Sequence, residues 1–132
     1  VEGAGAASVA ALLSDDLDVA GERVMPLLCG GNLDMTQLQT VLVHALTHRK
    51  QRIQLRVHID DRPGKMAELS GIIAEQGANI FDVRHDRGVE DLAVGDAYLV
   101  FTVETSGAEH AASIVDAIEK RGYSVADVTR ET

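Results

Sequence analysis

Between Ile53 and Gln76 the repeat of apolar residues switches from two to between three and four across one short turn, and this switch constrains the fold more than anything else in the chain. In "IQLRVHID" the residues Ile53, Leu55, Val57 and Ile59 alternate with Gln54, Arg56, His58 and Asp60, as a strand with one buried face requires. The run stops at two aspartates and turns through Arg62-Pro63-Gly64. It restarts with Met66, Leu69, Ile72 and Ile73 at helical spacing, closed by Gly77 as a left-handed cap.

The same grammar then repeats. Asn79 to Arg87 reads as a strand through Phe81 and Val83, Gly88 to Asp96 as a hairpin-like loop, and Ala97, Leu99, Phe101 and Val103 as a third alternating strand. Gly107 to Arg121 is an amphipathic helix through Ala111, Ile114, Val115 and Ile118, and "YSVADV" supplies a fourth strand. The order is βαββαβ, a ferredoxin-like α+β unit with an antiparallel sheet and both helices on one face.

Upstream, the alanine-rich run from Ala6 to Leu13 suits a helix, and Arg23 to Cys29, "RVMPLLC", a short buried strand ended by Gly30-Gly31. Asp34 is placed to cap a helix whose Met35, Leu38, Val41, Leu42, Ala45 and Leu46 recur at helical spacing. The polar, basic stretch Thr47 to Arg52 is the natural boundary, giving expected units 1–50 and 51–132. Because the sequence starts at Val1 and runs almost at once into what reads as the interior of a helix, it is expected to be a piece of a longer protein.

Composition excludes several classes. With 21 acidic and 12 basic residues the formal charge is −9, and no basic patch offsets it, so nucleic acid is an unsuitable partner. Acids cluster at Asp15, Asp16 and Asp18 and again at Glu90 and Asp91; a high-salt source and an ordinary acidic protein account for that bias about equally. Aromatic residues make up 3% of the chain, too few for the stacking platform of an RNA-recognition module. The single cysteine, Cys29, rules out an internal disulfide and a CxxC metal carrier. His44 and His48, spaced i and i+4, lack a third ligand, so no metal site is expected. No apolar stretch approaches the roughly 20 residues of a membrane helix. A soluble protein without a targeting signal, located in the cytoplasm, is the expectation.

The turn at Asp61 to Lys65 admits two readings from its residues alone. Proline fixes φ and glycine permits unusual values, so a tight turn is reason enough for Arg62-Pro63-Gly64. Alternatively, the free N–H groups that start the Lys65 to Gln76 helix present positive potential to a carboxylate, Asp61 pairs with an ammonium group, and Asn79 adds a hydrogen bond. His85 and Arg84 read as surface or interface residues. Cys29-Gly30-Gly31-Asn32, between a strand and a helix, needs no ligand to explain it.

"DRPGKMAELSGIIAEQGANI" resembles the first loop and helix of an ACT domain, the small-molecule-sensing module attached to many enzymes of amino-acid metabolism; the resemblance runs from Arg52 to about Arg130. "VEGAGAASVAALL", "LLCGGN" and the helix after it resemble the last segment of the catalytic domain, of fold type II, of pyridoxal-phosphate-dependent threonine ammonia-lyases (threonine dehydratases). "VRHDR" and "SGAEH" resemble the ACT tail of the same family. This resemblance implies an effector site at Asp61, Arg62, Gly64, Lys65 and Asn79 for isoleucine, valine or threonine, and a homodimer or higher homo-oligomer. It also implies that Cys29, Gly30, Gly31 and Asn32 face pyridoxal phosphate in an intact enzyme, with Glu2 near that pocket. Lys50, Lys65 and Lys120 stand in no cofactor-lysine context and no glycine-rich phosphate loop precedes them, so this chain should neither hold the cofactor nor deaminate threonine alone. The other reading is an assembly module that has lost ligand binding.

Overall fold

The computed structural model describes residues 2–14, 16–89 and 92–129. Val1, Asp15, Glu90, Asp91 and Arg130, all invoked from the sequence, lie outside them. The residues cluster into two units, Val1–Val41 and Leu42–Thr132.

The first unit contains helix α1 (Gly3–Leu13) and the start of α2 (Met35–His48). Asp34 caps α2 as its position implied, its Oδ1 accepting from the Thr36 N–H at 2.7 Å. That bond is the main reason the Asp34 carboxyl sits below its ordinary range. The segment Arg23 to Cys29 departs from expectation, because it carries no strand pairing. A strand exists through its ladder, and among the described residues no neighbour supplies one. The Ser8 hydroxyl donates to the Leu27 carbonyl at 2.8 Å, while Val24, Met25, Leu27 and Leu28 stay exposed, Met25 at 92%. The expected helix-strand-helix arrangement is therefore a helix, an unpaired segment and a helix. The apolar stripe of α2 is likewise incompletely covered, Leu38 and Leu46 being half-buried and none of its residues buried.

In the second unit the expected element order is observed: β1 (Arg52–Asp60), α3 (Lys65–Glu75), β2 (Asn79–Asp86), β3 (Asp96–Glu104), α4 (Ala108–Lys120) and β4 (Ser124–Asp127). The sheet is antiparallel throughout, in the order β2-β3-β1-β4. Strands β1 and β3 pair from Arg52 opposite Glu104 to Asp60 opposite Asp96, which puts Ile53, Leu55, Val57 and Ile59 on the same face as Val103, Phe101, Leu99 and Ala97. These eight residues are buried together with Leu69, Ile72 and Ile73 of α3 and Ala111, Ile114 and Ile118 of α4, so both helices cover that face. Gly77, with φ +74, closes α3 in the left-handed conformation anticipated for it.

One strand differs in detail. The β2–β3 register shifts between Ile80 and Asp82, leaving Phe81 as the extra residue of a bulge. Ile80 and Val83 consequently pack on the core, whereas Phe81 is 60% exposed, with the Arg52 guanidinium 4.1 Å from its ring centroid. The expected inward pairing of Phe81 with Val83 is thus replaced by Ile80 with Val83. Among the described residues, no helix is long and apolar enough to cross a membrane.

Candidate functional site

Beyond β1 the chain turns sharply. Asp61 N–H donates to the Gly95 carbonyl at 2.8 Å, Arg62 N–H to Asp60 at 2.8 Å, and Lys65 N–H to Arg62 at 3.3 Å. Gly64 precedes α3 with φ +95 and contributes no side-chain cap, so the first N–H groups of the helix face the turn without a carboxylate or hydroxyl upon them. A cleft of about 300 Å³ opens there, with an apolar wall of Ile59, Met66 and Leu99 and a polar rim of Asp61, His85 and Arg87.

The rim is organised around Asp61. Arg87 Nε donates to Asp61 Oδ2 at 2.5 Å, and its terminal amine nitrogen to Oδ1 at 3.3 Å. His85 Nε2 lies 3.2 Å from Oδ1, yet is buried without an aligned hydrogen-bond partner. The Arg87 hydrogen bond holds the Asp61 carboxyl below the usual carboxylate range, and Asp61 in turn raises Arg87. The carboxylate is ionised at neutral pH and carries a partner of opposite charge.

Asp61, Arg62, Gly64 and Lys65 all line the cleft, but the charged ends of two of them are committed elsewhere. Arg62 Nε contacts Asp60 at 3.0 Å. Lys65 Nζ donates to the Tyr123 hydroxyl at 2.8 Å and lies 3.6 Å from Asp60 and 3.4 Å from Glu68, and the Tyr123 bond raises its pKa. Asn79 does not join them. It stands opposite Glu104 at the far end of the sheet, where its Nδ2 donates to Glu104 Oε2 at 3.1 Å. Asp61 follows the Asp60–Asp96 end, so the length of β3 separates the two, roughly 25 Å at about 3.3 Å per residue. Within one chain, the expected set is split between the two ends of the sheet.

Two rim residues fall outside the set drawn from the sequence. Val83, His85 and Arg87 recur at every second position, so the face that buries Val83 carries His85 inward, and Arg87 follows at the strand end. Arg84, on the opposite face, binds Asp86 at 3.1 Å and is exposed as expected. Reading Phe81 as inward hid nothing about this parity; what was missing was the nearness of the end of β2 to the turn after β1.

In the first unit, the Gly30 backbone has φ +79 and a Cβ there would fall 2.6 Å from Glu2 Cγ. The need for glycine is met by this close approach. Cys29 is exposed.

Residues 53–123 match the ACT domain. The chain belongs to the ACT domain family. Two curated relatives extend the likeness upstream of the ACT domain: the L-threonine ammonia-lyase of Thermotoga maritima, 36% identical over 124 residues and 94% of this chain, and that of Geobacter sulfurreducens, 37% identical over 126 residues and 95% of this chain. The chain spans 31% of the length of each. The solved ACT domain of the GTP pyrophosphokinase of Chlorobium tepidum is 16% identical with a TM-score of 0.46, over 58% of this chain and 96% of that one.

Proposed function

We propose that this chain is the amino-acid-sensing region of a threonine ammonia-lyase, with residues 51–132 as its regulatory unit. An amino acid, isoleucine first among the candidates, binds at the Asp61 turn and feeds back on the conversion of threonine to 2-oxobutanoate and ammonia in the cytoplasm. The observation that carries this reading is the cleft itself: an ionised carboxylate, an arginine and an uncapped helix start beside a small apolar wall. Those are the groups that an α-amino acid with an aliphatic side chain needs, and the volume lies at the lower end of ordinary ligand sites. A coupling of about 1–3 kcal/mol to a catalytic site is enough for useful feedback.

Pyridoxal phosphate would supply the elimination chemistry of the whole enzyme, and among the described residues of this chain none stands free to carry it. Lys50 Nζ lies 3.7 Å from Asp127, Lys65 is held by Tyr123, and Lys120 ends α4. In the Cys29 to Asn32 segment, Glu2 fills the space over Gly30. No catalytic step is assigned to these residues.

Titrating isoleucine, valine, threonine and serine calorimetrically into the chain tests the sensing role, since binding as weak as about −4 kcal/mol registers at millimolar ligand. One observation favours a second reading, an ACT-type homodimerisation module without ligand binding: Asp61 already has its ion-pair partner inside the chain. Absence of heat with all four amino acids, together with a dimer by sedimentation, establishes that reading over the first.

A further inference from the structure

Resting on the sensing role just proposed, we infer that Arg87 is the carboxylate-binding residue of the cleft, and that a free α-amino acid enters by exchanging ion pairs. The ligand's ammonium takes Asp61 from Arg87, and the ligand's carboxylate takes Arg87 from Asp61.

The geometry sets an incoming ammonium against the guanidinium. Arg87 Nε holds Asp61 Oδ2 and the arginine's terminal nitrogen holds Oδ1, so a cation arriving at this carboxylate competes with Arg87 for both oxygens. Arg87 is able to leave. It follows the last residue of β2 and precedes Gly88 at φ +70, and its side chain is 66% exposed, so a swing disturbs neither the ladder nor the core. Among the described residues its polar contacts are with Asp61.

Charge arithmetic then selects the ligand. An amine alone would break the Asp61–Arg87 pair and remake one half of it; a carboxylate alone would do the same from the other side. A zwitterion with both groups on one carbon re-pairs both residues, turning one ion pair into two around a four-charge ring. The fork of Arg87 suits two parallel bonds to a carboxylate. His85 Nε2, 3.2 Å from Asp61 Oδ1, borders the same carboxylate from the other side of the rim. Ile59, Met66 and Leu99 set the side-chain preference to small and aliphatic. Amidated amino acids and residues within a peptide, which lack a free carboxylate, fall outside the class.

Three probes and two variants of the full chain test the exchange by calorimetry. The probes are isoleucine, 2-methylbutylamine, which keeps only the ammonium, and 3-methylpentanoate, which keeps only the carboxylate. The chain as it stands should bind isoleucine and neither fragment at millimolar concentration. Arg87→Ala should bring isoleucine and 2-methylbutylamine to within about threefold of each other, because neither then gains from an arginine on its carboxylate side. The same change should strengthen 2-methylbutylamine, because Asp61 then has no internal cation to give up. Arg87→Lys, which keeps the charge and loses the fork, should fall between. An Arg87→Ala variant that still prefers isoleucine over 2-methylbutylamine by about tenfold or more, or no gain for the amine, overturns the exchange and leaves the sensing role standing. No binding of any amino acid by the unsubstituted chain overturns the sensing role itself.

Discussion

At the scale of single residues, Asp61 and Gly64 carry consequences for stability that are separate from ligand binding. The Asp61 carboxyl is held below its ordinary value of 3.8 chiefly by the Arg87 hydrogen bond. A depressed carboxyl pKa stabilises the fold above the ordinary carboxylate range, and the contribution disappears as pH falls through the depressed value. Asp61→Asn should therefore lower the melting temperature slightly at pH 7, slightly because Arg87 is well exposed. The difference should begin to shrink only as the pH drops below about 4. A gap that stays constant down to strongly acid pH would show that the pair is not its origin. Gly64 is a different case, since nothing stands near its missing Cβ but its φ is +95. Gly64→Ala meets no steric neighbour and still forces an L-residue into left-handed backbone. It should cost about 1–2 kcal/mol in urea unfolding, and an unchanged midpoint would mean that the turn relaxes to another conformation.

At the scale of elements, side-chain parity decides which substitutions matter. Phe101 is fully buried in β3 between the helices and β1, so Phe101→Ala should destabilise by about 3–5 kcal/mol. Phe81, pushed outward by the bulge, should cost far less on the same change; equal losses would place Phe81 in the core and contradict the register. The same parity explains what could be read from the sequence. β1 was legible because four apolar residues alternate without interruption, α3 because Leu69, Ile72 and Ile73 share one helical face, and the αL cap at Gly77 because only glycine suits it. β2 was legible as a strand and in the facing of Val83, but not in that of Phe81, since one inserted residue breaks the alternation and no local signal marks a bulge. Arg23 to Cys29 failed for another reason: its composition suits a strand, but a strand is completed by a neighbour that sequence periodicity does not report. In the site, Asp61 and Gly64 were visible as punctuation before a helix. Arg87 and His85 were not, because they come from a strand two places away in the sheet and meet Asp61 only through antiparallel pairing.

At the scale of the whole molecule, the two units differ in how completely their backbones are paired. Amide hydrogen exchange should be slow through β1 and β3, which are flanked on both sides, and fast from Arg23 to Cys29. Slow exchange in that segment would show that assembly supplies it with a partner. The outer strands β2 and β4 leave edges on which a second copy could pair, and two copies each carrying −9 repel. Sedimentation should accordingly show association strengthening as salt rises; a weakening would indicate that opposite charges make the contact. The start of β1 is pinned, since the Thr105 N–H donates to the Gln51 carbonyl at 2.9 Å and its hydroxyl to the Lys50 carbonyl, with the Arg52–Glu104–Asn79 cluster alongside. The cleft lies at the other end of the same strand. β1 thus runs from the cleft to the joint at Lys50 laddered to β3 along its whole length and to β4 along its middle, so any tilt imposed beside Asp61 is shared by three strands and is not confined to one.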